Sequence, residues 1–255
     1  MRESPTWDRG PGVPRAVRAL LIVNVAVFLL QALTPLGRTC VRLGALSGVG
    51  LSHGRLWQLI TYSFLHANAT HLLLNMLALY SLGPETERAM GRRHFLTLYL
   101  LSAVIGGLGF VLITPHAVCV GASGAIFGVI AAFAILFPRR PVCLLFFPFV
   151  SFQARTWALI FGAVELLYLI QGVEGGIAHS AHLAGGLAGA IYVGIVIGGF
   201  SWKPSWPRRH SRSGDYDLAE VDRILDKVAR EGIDRLTHRE RATLDAASRR
   251  HTPRA

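Results

Sequence analysis

The sequence predicts an all-α protein, a polytopic membrane bundle of six transmembrane helices with a short helical tail on the cytoplasmic side. Three observations carry that expectation. Of 255 residues, 52% are hydrophobic and only 16% charged, too apolar for an ordinary soluble domain. The apolar residues gather in six segments, and His71, Asn75, Ser123 and His182 fall near one end of alternate segments. Finally, 26 Lys and Arg against 15 Asp and Glu give +11, but these charges crowd into ends and loops. That distribution excludes a water-soluble enzyme and argues against nucleic acid as a partner.

A helix needs about 20 mostly apolar residues to cross the bilayer core, fewer where polar residues face the bundle interior. The expected spans are 16–33, 69–82, 95–113, 117–137, 157–170 and 181–200. No small-residue cleavage site follows the first, so a retained anchor is expected rather than a signal peptide. Residues 43–63 are apolar but broken by Gly44, Gly48, Gly50 and Gly54, and carry Trp57 and Tyr62, as in a partly embedded outer loop. The apolar run 142–150 is too short to span and contains Pro148, which reads as an interfacial or re-entrant connector. Cys40, Cys119 and Cys143 form no C-x-x-C unit and read as packing residues.

Basic residues near span ends stay cytoplasmic. Arg2, Arg9 and Arg15 precede the first span and Arg18 lies in its first turn; Arg88, Arg92 and Arg93 lie between the second and third; Arg139, Arg140 and Arg155 lie between the fourth and fifth. The opposite set holds only Arg38, Arg42 and Arg55. Both termini are therefore expected in the cytoplasm, with even-numbered spans starting on the outer side. The domain organisation follows: an N-terminal cytoplasmic segment (1–13), the six-helix core (14–200), a basic linker (201–214) and a helical tail (215–255). In the tail, Val221, Ile224, Leu225 and Val228 share one helical face that Gly232 can end, and Thr237 with Glu240 has capping-box spacing for a second short helix through Leu244.

The chemistry lies in the spans. His71 and Asn75 sit four apart at the start of span two, Ser123 near the start of span four, and His182 near the start of span six. Alternate spans begin on the same side, so all four side chains share one depth beneath the outer surface. Gly121, Gly124 and Gly128 flank Ser123, while Gly185, Gly186 and Gly189 follow His182, which lets the two helices approach closely. A neutral imidazole at that distance takes the Ser proton as the hydroxyl attacks a carbonyl, then returns it to the leaving amine. His71, Asn75 and the Ser123 backbone N–H are the candidate oxyanion donors. No Asp occurs between Asp8 and Asp215, and Glu165 is the only Glu within a span, so a Ser/His dyad is expected rather than a triad. Glu165 is expected to face a wet cavity or another helix. His66 and His179 read as hydrated or structural. His66 and His71 are five apart with no Glu between them, so the zinc-protease helix signature is absent.

At these residues the chain resembles the rhomboid family of intramembrane serine proteases, over roughly residues 14–200. The G-x-S-G motif reads Gly121-Ala122-Ser123-Gly124, the A-H-x-x-G motif reads Ala181-His182-Leu183-Ala184-Gly185, and the H-x-x-x-x-H-x-x-x-N pattern reads His66, His71 and Asn75. The resemblance implies a rhomboid-like fold, Ser123 as nucleophile, His182 as base, and His71 with Asn75 at the oxyanion. Gly121, Gly124, Gly128, Gly185, Phe127 and His66 are supporting residues. It implies neither metal nor cofactor. It further implies a water-accessible cavity open to the outside of a bacterial plasma membrane, and a partly unwound transmembrane helix of another protein as substrate, cleaved through an acyl-enzyme. Span five and its outer loop, 171–178, are the expected lateral gate.

Two departures stand out. A Trp-Arg pair common in the family reads Trp57-Gln58, and the aromatic one turn after the nucleophile, often Tyr, is Phe127. Glu87 and Arg88 match the family's acidic-basic pair after span two, with a structural role. Two rival classes are a non-proteolytic rhomboid-like protein that binds membrane clients and a small-molecule transporter. Retention of nucleophile and base counts against the first; the lack of an inverted repeat counts against the second.

Overall fold

The computed structural model describes residues 12–144, 147–172, 177–199 and 218–251. It divides into two compact units, Met1–Trp202 and Lys203–Ala255. The expected linker, 201–214, and residues 173–176 of the expected gate loop lie outside the described residues.

In the first unit the long helices are α1 (Arg15–Leu33), α5 (Ala69–Met90), α6 (Arg92–Ile113), α7 (Ser123–Leu136), α8 (Ala154–Gln171) and α9 (His179–Gly199). Of these, α1, α6, α8 and α9 are long and apolar enough to cross a membrane. Each of the six expected segments contains one of these helices, but the fourth, expected over 117–137, is helical only from Ser123 to Leu136, with Val118–Cys119 in a strand before it, and two of the six miss that standard. Helix α7 is apolar yet only 14 residues long. Helix α5 has 22 residues but runs past its apolar stretch through Pro84, Glu85, Glu87 and Arg88.

Those charges explain why α5 outlasts the expected end at residue 82. Both oxygens of the buried Glu87 carboxylate accept backbone N–H groups at the start of α1, from Ala16 at 3.0 Å and Val17 at 2.8 Å. A helix start has unpaired donors and partial positive charge, so an anion there is stabilising. Arg88 donates to the Gly12 carbonyl at 2.8 Å. The pair thus fastens the chain entry to the end of α5. Gly91, at φ +80, makes the turn into α6 that a side chain would strain.

The segment expected to be an embedded loop is instead mostly short helix: α2 (Gly37–Gly44), α3 (Gly48–Ser52) and α4 (Gln58–Thr61), followed by a 3-10 turn at Tyr62–Phe64. Its anchoring is polar and neutral. Trp57 Nε1 and Gln58 Nε2 both donate to the Leu43 carbonyl, at 2.9 and 3.3 Å, and Gln58 Oε1 accepts from Ser47 N at 3.4 Å. A side chain at Gly50 would overlap the buried Gln58 amide. Tyr62 reaches into the bundle and donates to the Ala103 carbonyl at 2.7 Å. The strand β1 (Leu46–Ser47) pairs antiparallel with β2 (Val118–Cys119), which ties this segment to the chain just ahead of Ser123.

The described residues of the run 142–150 are extended strand: β3 (Pro141–Leu144) pairs antiparallel with β4 (Phe147–Gln153), with Pro141 opposite Gln153 and Val142 opposite Phe152. A two-stranded ribbon has only edge strands, where Pro148 costs no ladder bond it must make.

The main core joins Val17 and Leu20 of α1, Leu72 and Leu79 of α5, Phe95 and Leu98 of α6, and Ile126 and Val129 of α7. The outward faces stay apolar: Leu33, Leu112, Leu159 and Ile170 are each more than 70% exposed, as side chains facing lipid are.

In the second unit, α10 (Leu218–Glu231) ends at Gly232, φ +88, and α11 (His238–His251) continues beyond the expected end at Leu244. Ile224 is fully buried, whereas Leu225 is half exposed, because one partner helix covers only part of the apolar face. The capping box is formed: Thr237 N donates to Glu240 Oε2 at 2.8 Å and Glu240 N to Thr237 Oγ1 at 3.3 Å.

Candidate active site

Helix starts place the polar side chains. Asn68 caps α5 by accepting from His71 N at 2.8 Å, which puts His71 on the first turn and Asn75 one turn deeper. Gly121, at φ +129, turns the chain into α7, whose first residue is Ser123. A Cβ at Gly121 would collide with the His71 ring, so this glycine is needed both for its backbone angle and for the contact. His182 lies in the first turn of α9.

Close helix approach then brings α7 and α9 together. A Cβ at Gly185 would overlap the Gly124 carbonyl oxygen, and one at Gly128 would overlap Ser102. Gly106 of α6 joins the same seam, where a Cβ would stand 2.8 Å from the Ala181 carbonyl oxygen and 3.5 Å from Gly124 Cα. Three helices therefore meet backbone to backbone, one more than the glycine spacing in α7 and α9 implied.

At the end of that seam, His182 Nε2 lies 2.8 Å from Ser123 Oγ across 59 residues of sequence. Phe127, one turn after Ser123, lies flat on the His182 ring, with centroids 4.3 Å apart and planes 7° from parallel. The imidazole is thus fixed in both distance and plane. Asn75 is buried, and its Nδ2 has no hydrogen-bond partner among the described residues, so a strong donor is left available. His71 sits edge-on to the buried His66, with centroids 5.2 Å apart. His66 is held through its backbone, donating N–H to Gln31 Oε1 at 3.2 Å and accepting from Gln31 Nε2 at 2.7 Å.

Sequence reasoning left two residues at the margin that the structure brings to His182. Glu165 of α8 lies with Oε1 2.9 Å from His182 Nδ1, though without hydrogen-bond alignment, and with Oε2 2.5 Å from His179 Nδ1. His179 is buried and stacks on Tyr168, centroids 5.2 Å apart. The signal was present: one carboxylate in the spans, and two histidines three apart on one helix. Glu165, His179 and His182 each offer a ligand atom within 4.8 Å of the others, a donor set of the kind that takes zinc.

Comparison with known proteins gives the family. The Rhomboid domain matches residues 53–199, more than half of the chain. The protein belongs to the rhomboid family. Its similarity extends to Rhomboid-like protease 3 of Toxoplasma gondii, 35% identical over 129 residues, covering 51% of this chain and 49% of that protein. Rhomboid protein 1, mitochondrial, of Saccharomyces cerevisiae is 33% identical over 194 residues, covering 69% of this chain and 51% of its own. Rhomboid protease AarA of Providencia stuartii is 29% identical over 199 residues, covering 68% and 69%. This rhomboid spans about half the length of the first two. Family membership and four membrane-length apolar helices make it an integral membrane protein. Relatives from bacteria and mitochondria share the domain, so membership does not name the membrane. Residues 217–250 match a family of unknown function, DUF6576.

Proposed function

We propose that this rhomboid is an intramembrane serine endopeptidase that hydrolyses peptide bonds in or near transmembrane helices of other membrane proteins. One observation carries the reading: Ser123 Oγ and His182 Nε2 stand at hydrogen-bond distance, 2.8 Å, within a membrane protein. A lone serine is a weak nucleophile, and an adjacent base changes that.

In the first step Ser123 Oγ attacks the scissile carbonyl carbon and its proton passes to His182 Nε2. The carbonyl oxygen becomes an oxyanion, stabilised by donors from Asn75, His71 and the Ser123 backbone N–H, with the positive end of α7 behind them. His182 then gives the proton to the leaving amine, and the ester to Ser123 remains. Water attacks that ester and gives a proton to His182, which passes it to Ser123 Oγ as the bond from the acyl carbon to Oγ breaks and the carboxylic acid leaves. The sequence of steps needs water at the site and a substrate whose scissile backbone is out of helix, since a helix buries its own carbonyls in hydrogen bonds.

All six long helices serve as spans in this reading, with α5 and α7 shielded by their neighbours. Both termini are cytoplasmic, and the site opens to the outer face, because the basic residues lie on the other side. Helix α8 is the entry gate: of the four membrane-length helices it is the least buried within the protein, while α6 and α9 are the most. The tail, 215–255, is a separate cytoplasmic appendage.

Purified protein in lipid should cleave a helical transmembrane substrate, and Ser123→Ala or His182→Ala should abolish cleavage with the fold retained. Cleavage by the Ser123→Ala protein would sink the assignment. Failure of Ser123 to react with a fluorophosphonate under conditions where another rhomboid reacts would favour a client-binding role.

A further inference from the structure

We infer that Glu165 is a positioning residue for the base, so that the reacting unit is Ser123, His182 and Glu165 drawn from α7, α9 and α8. The inference rests on the assignment of Ser123 and His182 above and deepens it.

For Nε2 to receive the Ser123 proton it must carry a lone pair, so neutral His182 must hold its own proton on Nδ1. That nitrogen is buried and has no hydrogen-bond partner among the described residues, while Glu165 Oε1 waits 2.9 Å away, needing only a change of angle to accept. An acceptor at Nδ1 selects the required tautomer and holds the ring to face Ser123. The carboxylate is itself held, since Oε2 is bonded to His179 Nδ1 and His179 is braced by Tyr168.

Charge argues the same way. Proton transfer makes an imidazolium in a site where only 9% of the His182 side chain is exposed. A buried cation without a partner is costly, and a carboxylate in contact offsets much of that cost. The groups around the ring are Ser123 and Phe127 from α7, His71 from α5, His179 on α9 and Glu165 on α8. Among them only Glu165 supplies negative charge. Helix α8 is the least buried of the four membrane-length helices, so the residue that completes the base rides on the helix with the smallest share packed inside the protein.

The competing account makes Glu165 an interhelical tether, holding α8 to α9 through His179. The two are separated in the full chain in lipid vesicles, after wild-type cleavage and fluorophosphonate labelling of Ser123 have been established. Absence of those wild-type activities would count against the protease assignment and not against Glu165. Given them, Glu165→Gln should lower kcat by about 10- to 100-fold, less than loss of a triad acid at its most severe, with KM within about twofold. Fluorophosphonate labelling should slow in step. Glu165→Asp should recover part of the rate, and formate should partly restore Glu165→Ala. Wild-type kcat in Glu165→Gln would overturn the inference. So would a loss shared equally by Glu165→Asp and His179→Ala, tracking a lowered melting temperature and untouched by formate.

Should the Glu165 variants fail to fold, the unmutated protein decides. Nitrogen-15 histidine spectra at neutral pH should show His182 as the Nδ1–H tautomer with a downfield proton. An Nε2–H tautomer would overturn the inference.

Discussion

Phe127 lies against His182 with ring centroids 4.3 Å apart and planes 7° from parallel, while Ser123, one helical turn earlier, meets the edge of the same ring. One turn of α7 thus supplies both the proposed nucleophile and the surface that sets the plane of the proposed base. Stacked aromatic contacts of this kind are worth about 0.5–1.5 kcal/mol. Phe127→Ala should therefore slow fluorophosphonate labelling of Ser123 by roughly 2- to 10-fold, whereas Phe127→Tyr should stay near wild type. Equal losses in both variants would mean the stacking has no part in the reaction.

Asn75 Nδ2 is buried without a partner among the described residues, a cost the free enzyme carries that a developing oxyanion would relieve. Asn75→Ala should lower kcat by about 10²- to 10³-fold with little change in KM. Steady-state cleavage kinetics in detergent check this. A change confined to KM would make Asn75 a substrate-binding residue.

The buried Glu87 carboxylate accepts two of the N–H groups at the start of α1, those of Ala16 and Val17. Hydrogen bonds to a charged group contribute about 1.5–3 kcal/mol. Glu87→Ala should lower the melting temperature in detergent while leaving Ser123 labelling per folded molecule unchanged. An unaltered melting temperature would show that α1 starts without this cap.

Glu165 Oε2 is bonded to His179 Nδ1 and Oε1 lies 2.9 Å from His182 Nδ1, so the proposed role of the carboxylate toward the base needs no ion. Exhaustive chelation should not reduce cleavage. Loss of activity restored by zinc would reassign the group as a metal site.

In the second unit, the Thr237 N–H, then Lys227 and the Thr237 hydroxyl, hold the Glu240 carboxyl at about 2, below its ordinary 4.5. A depressed acid stabilises the folded form above its unfolded value and loses that effect as pH falls through the folded value. Glu240→Gln should therefore weaken the α10–α11 helices in the full chain at pH 7. The difference between variant and wild type should shrink below pH 4.5 and vanish near pH 2, as followed by circular dichroism. A difference that persists at pH 2 would place the effect elsewhere.

Much of the layout is readable from local chemistry. Helices α1, α6, α8 and α9 begin and end within a few residues of their expected bounds, because long apolar runs in lipid must satisfy their backbone internally. The hairpin of β3 and β4 escaped because strand pairing is a contact between separated segments, and an apolar run of nine residues has no periodicity that distinguishes it. The full length of α5 escaped because its last turns are charged, and only contact with α1 makes Glu87 an interior residue.

The sequence by itself determined where the long apolar helices lie, the small-residue contact of α7 with α9 and the motif residues, since hydropathy, glycine spacing and motif spacing are properties of the chain read in order. Only the tertiary structure decided which histidine nitrogen faces which partner. Glu165 is 17 positions from His182 and carries no motif, and its meeting with Nδ1 depends on which face α8 turns to α9. That choice is set by packing over the whole helix pair, and no single residue encodes it.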